Sequence, residues 1–275
     1  MLSPGRTEPI EKYYETIDDL RARGFAVLAH DWRGQGLCDR PLPDRLKGHA
    51  DGWAAYLSDY GRLLDAYEAR APRPWVAVGH SLGGCLILLA TVEGETRLAA
   101  AVLSAPMVKV ATGKRPYGQS RAIAWLMARA GRATEYVLGE PNNPFEHTFE
   151  ANALTRDRER YERWRGQLHS HPDLGLGGVT WGWLDFAFRA SARLLFRPGL
   201  EAVKTPVTIV AASEDQVVDN AALRTTVERL PHARLVEVSG SLHEILMETD
   251  DKRAQFFDAF DEAVAELAPT TSPTV

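Results

Sequence analysis

The chain has 275 residues, 45% hydrophobic and 25% charged, a composition that can bury an α/β core and that excludes a disordered or collagen-like chain. A net charge of −5 gives no basic footprint for nucleic acid. No window approaches eighteen uninterrupted apolar residues and the N-terminus lacks the layout of a secretory signal, so a cytoplasmic protein is expected.

In chain order, the apolar spacing from Ile10 to Arg23 predicts a helix stopped by Gly24, and the run Phe25 to Ala29 predicts a buried strand. A second helix is expected from Trp53 to Arg70, ended by Pro72 and Pro74. The β-rich run Trp75 to Val78 leads into Gly79-His80-Ser81-Leu82-Gly83, then a Leu-rich helix to Val92 and a strand from Ala99 to Ser104. Between Pro106 and Pro206 the character changes to Arg- and aromatic-rich helical segments, Arg121 to Ala130, Arg156 to Leu168 and Trp181 to Phe196. The alternation resumes with a strand at Val207 to Ala212, a helix at Ala221 to Leu230, a strand at Arg234 to Val238 and an amphipathic helix from Lys252 to Leu267.

Strands separated by helices imply an α/β fold with a mostly parallel sheet and right-handed crossovers. The expected division is a core of residues 1–106 and 206–268, an inserted helical cap at 107–205, and a flexible tail at 269–275 with too little apolar content to pack. Cys38 and Cys85 lie far apart and outside any C-x-x-C pair, and are expected to be free thiols.

The pattern Gly79-x-Ser81-x-Gly83 needs its serine on a tight strand-to-helix turn with the hydroxyl exposed. Alone it is weak, with on the order of 0.1 chance matches in a chain of this length. The preceding β-run and the following helical run supply the required context. A serine at a helix N-terminus also has backbone N–H groups aimed at an anion, which makes the Leu82 amide the first oxyanion donor.

Serine chemistry requires a histidine to take the proton and a carboxylate to fix that histidine's tautomer. With the order Ser, Asp or Glu, His that such folds use, His243 is the histidine that follows the last strand, and Asp215 just after the strand Val207 to Ala212 is the orienting acid. Glu214 and Asp219 are its rivals, the latter reading as an N-cap for the next helix. His80 reads as a local packing and hydrogen-bonding residue, and His169 and His171 lack a nearby third ligand for a metal. This chemistry requires no metal or organic cofactor.

With these residues in place the chain resembles the α/β-hydrolase family, and within it the lysophospholipase L2 and monoacylglycerol lipase group. The likeness extends to Asp31-Trp-Arg-Gly34-Gln-Gly36, to Asn152-Ala-Leu-Thr-Arg-Asp157 with Arg160-Tyr161, and to Gly177-Gly-Val-Thr-Trp-Gly-Trp183. It implies an α/β-hydrolase fold, and a second oxyanion donor in the Arg6 amide, where Pro4-Gly5-Arg6 stands in the place of the family's H-G turn. It also implies strands before that turn, so the first strands are expected to be missing, the native product to begin upstream, and the sheet edge to be unpaired and prone to fray.

The implied activity is carboxylic-ester hydrolysis through an acyl-enzyme, on a lysolipid or another small acyl ester. Trp125, Trp164, Trp181, Trp183, Phe186 and Phe188 offer an apolar lining, with Trp181, Trp183 and Phe186 the expected substrate-binding residues. The arginines between Arg156 and Arg165 alternate with acids and read as a solvated face, with a phosphate site as the sharper alternative. A same-fold peptidase or acyltransferase, or an inactive binding protein, remain the rival functions. Oligomeric state and peripheral membrane contact stay open.

Overall fold

The computed structural model describes residues 1–137, 142–265 and 267; the tail expected at 269–275 lies outside them. Among the described residues five parallel strands form one sheet in the order β1 (Leu2–Ser3), β2 (Trp75–His80), β3 (Leu98–Ser104), β4 (Val207–Ala212) and β5 (Ala233–Val238). The side-chain period of two sorts each strand onto two layers. Ala77, Ala101, Leu103, Val207 and Ile209 face a core shared with α2 (Ala54–Glu68) and α3 (Leu82–Val92). Val76, Val78, Ala100, Val102 and Val210 face α1 (Tyr14–Ala22) and α8 (Asp250–Ala265), which contribute Leu20, Phe256, Phe257 and Phe260.

The helix α3 is apolar all round and buried from Leu82 to Thr91, as a helix packed on every side must be. Between β3 and β4 the chain forms α4 (Tyr117–Met127), α5 (Arg158–Ser170) and α6 (Trp181–Phe196), and no strand of the sheet comes from this segment among the described residues. The expected span of α6 matches the observed one, and Thr180 caps it by accepting the Trp183 N–H. Beyond β4, α7 (Asn220–Arg229) is capped by Asp219, which accepts the Ala221 N–H at 2.9 Å.

One expectation is corrected. Phe25 to Ala29 forms no strand, only a single bridge from Ala29 to Leu2, with Leu2 N–H donating to Leu28 C=O at 2.7 Å. Its neighbour β1 is two residues long, so there is little ladder to join, and the segment is only part-buried. The Pro4–Arg6 turn follows β1, the edge strand of the sheet, which pairs with β2 at Val78 and Gly79 and meets only the single bridge from Ala29 on its other side.

Candidate active site

At the end of β2 the backbone turns through Ser81 at φ 48° and ψ −110°, a conformation an L-residue rarely adopts. The flanking glycines make room for it. A Cβ on Gly79 would lie 2.8 Å from Gly84 N, and one on Gly83 would lie 2.2 Å from the carbonyl oxygen of Ser3. Gly83 thus brings the first turn of α3 hard against Ser3 and Pro4, placing the Pro4-Gly5-Arg6 turn beside Ser81. Leu82 opens α3, so its N–H belongs to the first turn and has no intrahelical acceptor.

The structure brings Ser81, His243 and Asp215 together from three separate loops. His243 Nε2 is 3.0 Å from Ser81 Oγ and its Nδ1 is 2.7 Å from Asp215 Oδ2. Asp215 Oδ1 is occupied by the N–H groups of Val217 at 2.7 Å and Val218 at 3.0 Å, leaving Oδ2 for the histidine. Burial pushes the Asp215 carboxyl up, but the His243 hydrogen bond and charge, with the two backbone N–H groups, hold it below its ordinary range. The rivals are engaged elsewhere: Glu214 pairs with Arg156, and Asp219 caps α7 and pairs with Lys109 at 2.6 Å.

The loop carrying His243 is clamped by residues that sequence reasoning passed over. Glu248, with a fully buried side chain, accepts the Leu242 N–H at 2.8 Å and the Arg156 N–H at 3.1 Å. Thr155 Oγ1 donates to Met247 C=O at 2.6 Å, Glu244 N–H donates to Leu154 C=O at 2.8 Å, and Arg156 reaches Gly240 C=O at 2.6 Å. The segment Asn152–Asp157 therefore buttresses the loop, which gives its sequence signature a physical purpose. Glu8 was also missed. Its carboxylate accepts the Gly5 N–H at 2.7 Å and faces His80 Nδ1 at 2.8 Å. No local periodicity marks either glutamate.

The expected aromatic lining divides. Phe186 is fully buried, stacked on Tyr56 of α2 at 5.6 Å, so it belongs to the core and offers no surface to a substrate; this corrects the expectation. Trp183 is nearly buried beneath the Arg6 guanidinium, 5.3 Å from its ring centroid, and Trp181 is part-buried at the start of α6. Phe188 is buried and Trp125 is exposed. Trp164 lines a cavity of about 200 Å³ with Arg6, Lys12, Tyr161, Arg165 and Glu244, beside the turn and the His243 loop.

The arginines of α5 are committed. Arg160 pairs with Glu15, Asp157 and Asp250, Arg163 with Glu15, and Arg165 donates to the carbonyls of Pro144 and Phe145. His169 faces Arg165 at 3.0 Å. Among the described residues no group of three or more His, Cys, Asp or Glu is arranged to hold a metal ion. Cys38 and Cys85 are free thiols, and burial pushes the Cys85 thiol up to about 12. No helix among the described residues is long and apolar enough to cross a membrane.

Comparison with known proteins adds three findings. The family described as serine aminopeptidase, S33, matches residues 1–250. Lysophospholipase L2 of Escherichia coli is 30% identical over 264 residues, covering 92% of this chain and 76% of that protein, and a probable lysophospholipase L2 of Haemophilus influenzae is 29% identical over 255 residues, covering 92% and 79%. In structure, the Paleococcus ferrophilus monoacylglycerol lipase superposes with a TM-score of 0.75 at 20% identity, covering 96% of this chain and 93% of that one.

Proposed function

From the membership of this chain in the serine aminopeptidase S33 family, an α/β-hydrolase fold, we propose that it is a serine hydrolase cleaving lipid carboxylic esters, of the lysophospholipase and monoacylglycerol lipase kind. The observation that carries this is the chain of contacts from Ser81 Oγ through His243 to Asp215, at 3.0 and 2.7 Å. Ser81 attacks the ester carbonyl while His243 Nε2 takes its proton, and Asp215 holds Nδ1–H and stabilises the imidazolium. The oxyanion is received by the N–H groups of Leu82 and Arg6. His243 then protonates the departing alcohol, and water hydrolyses the acyl-enzyme by the same route reversed.

A lipid-ester substrate agrees with the names of the relatives at 29% and 30% identity, both lysophospholipases. The face of α4 supports contact with a lipid surface, since Trp125 and Leu126 are 48% and 59% exposed with Arg129 over the Trp125 ring. Two free thiols suit the reducing cytoplasm, where we place its work.

The family description favours a second reading, an aminopeptidase, which needs an acidic pocket for the substrate ammonium. Among the described residues the cavity beside the His243 loop carries Arg6, Lys12 and Arg165 with the carboxylate of Glu244, which suits an ammonium poorly. The test is labelling by a fluorophosphonate probe with Ser81→Ala as control, followed by turnover of fatty esters and of a prolyl-arylamide. Ser81-dependent labelling with ester turnover is expected; turnover of the arylamide alone would replace the lipase reading with the peptidase one.

A further inference from the structure

His80 meets an acceptor at each ring nitrogen. Nδ1 lies 2.8 Å from Glu8 Oε2, and Nε2 lies 3.3 Å from the carbonyl oxygen of His243. A neutral imidazole carries one N–H and would turn a lone pair toward the other oxygen; only the imidazolium donates to both. The side chain is 4% exposed, so neither contact is readily handed to solvent.

The surroundings balance such a cation. Glu8 Oε2 also accepts from Gly5 N–H at 2.7 Å and from the Tyr13 hydroxyl, and Glu8 Oε1 accepts from Lys12 Nζ at 2.9 Å. Lys12 Nζ continues to Glu244 Oε1 at 2.6 Å. Two carboxylates and two cations, His80 among them, form a closed set, the condition under which charge is tolerated in an interior. Burial opposes the charge on His80, but the charge and hydrogen bond of Glu8, with Glu244 behind it, raise the imidazole above its ordinary value. Burial also opposes charge on Glu8, yet His80 and Lys12 hold it well below the usual carboxylate range.

The pair joins the parts on which the proposed reaction depends. His80 ends β2 immediately before Ser81, and its ring centroid is 4.9 Å from that of His243. Glu8 grips Gly5, the residue before the proposed oxyanion donor Arg6. Desolvation of buried ions offsets most of what their pairing returns, so the cluster is a poor source of stability alone. What it supplies is direction, in hydrogen bonds of fixed geometry.

We propose that Glu8 and the imidazolium of His80 form a positioning pair, which sets the His243 backbone and the Pro4–Arg6 turn around Ser81 without touching the substrate. This rests on the roles given above to Ser81, His243 and Arg6. Two measurements on the full chain test it. Proton–nitrogen correlation spectra of the imidazole rings at about pH 8 should show both His80 nitrogens protonated, well above the ordinary histidine range; a neutral tautomer there overturns the proposal, with no variant required.

In steady-state hydrolysis of a short acyl ester, folded His80→Gln and Glu8→Gln should each lower kcat about 10- to 100-fold with KM within about twofold, the mark of misplacement rather than lost binding. The double variant should fall within about twofold of the weaker single one, because the two residues act as a unit. Unchanged kcat in a folded His80→Gln chain overturns the pair's role. Failure of the reaction reading is separate: it shows as ester turnover in the unaltered chain that survives Ser81→Ala.

Discussion

Glu248 holds the Leu242 N–H at 2.8 Å with one carboxylate oxygen, directly before His243, while its other oxygen holds the Arg156 N–H. One buried side chain thus joins the histidine loop to the segment between β3 and β4. Glu248→Ala leaves two N–H groups without this acceptor, at about 1–3 kcal/mol each. Urea unfolding should report a loss of about 2–6 kcal/mol, and ester turnover a larger fall in kcat than change in KM. A variant with unaltered turnover would show that the loop keeps its place by other contacts.

Asp215→Asn tests the orienting role through its second oxygen. With Val217 and Val218 N–H groups fixed on Oδ1, an amide must turn its NH2 toward His243 Nδ1 and force the wrong tautomer. The expected loss is about 10,000-fold in kcat with little change in thermal stability. A loss below tenfold would point to a different carboxylate.

Strain at Ser81 is a stability cost attached to the proposed chemistry. Glycine reaches φ 48° freely, so Ser81→Gly should recover about 1–3 kcal/mol of backbone strain against about 0.5–1 kcal/mol of added unfolded-state entropy. The variant should be inactive yet about 1 kcal/mol more stable in denaturant titration. Equal or lower stability would place the strain elsewhere.

Acid sensitivity should run partly through Glu15, which links α1 to α5 and α8. Burial raises its pKa, but Arg160, Arg163 and Arg253 bring it down to about 2 from 4.5. The folded pKa is depressed, so this stabilisation is present above the unfolded value and is lost as pH falls from about 4.5 toward 2. Thermal unfolding of Glu15→Gln against the unaltered chain should show a gap at neutral pH that narrows across that window. Its size is modest, because the carboxylate is about one-third exposed and screened by salt. A gap constant with pH would contradict the linkage.

Local signals in the sequence determined the elements whose causes are local. A β-run, two glycines about a serine and an apolar helix specify the turn at Ser81, and the aromatic-rich helical stretch Trp181 to Phe196 specifies α6. Chain order and position after the late strands selected Asp215 and His243, and the structure places His243 between Ser81 and Asp215. Tertiary structure decided the features that depend on partners distant in the chain. Phe25 to Ala29 is apolar enough for a strand, but strand formation needs a neighbour long enough to share a ladder. Phe186 reads as a lining residue until Tyr56 is seen stacked on it, since aromatic density does not say which face is wet. Glu8 meets His80 across 72 positions and Glu248 meets Arg156 across 92, so their carboxylates acquire a purpose only once the fold has excluded water around them.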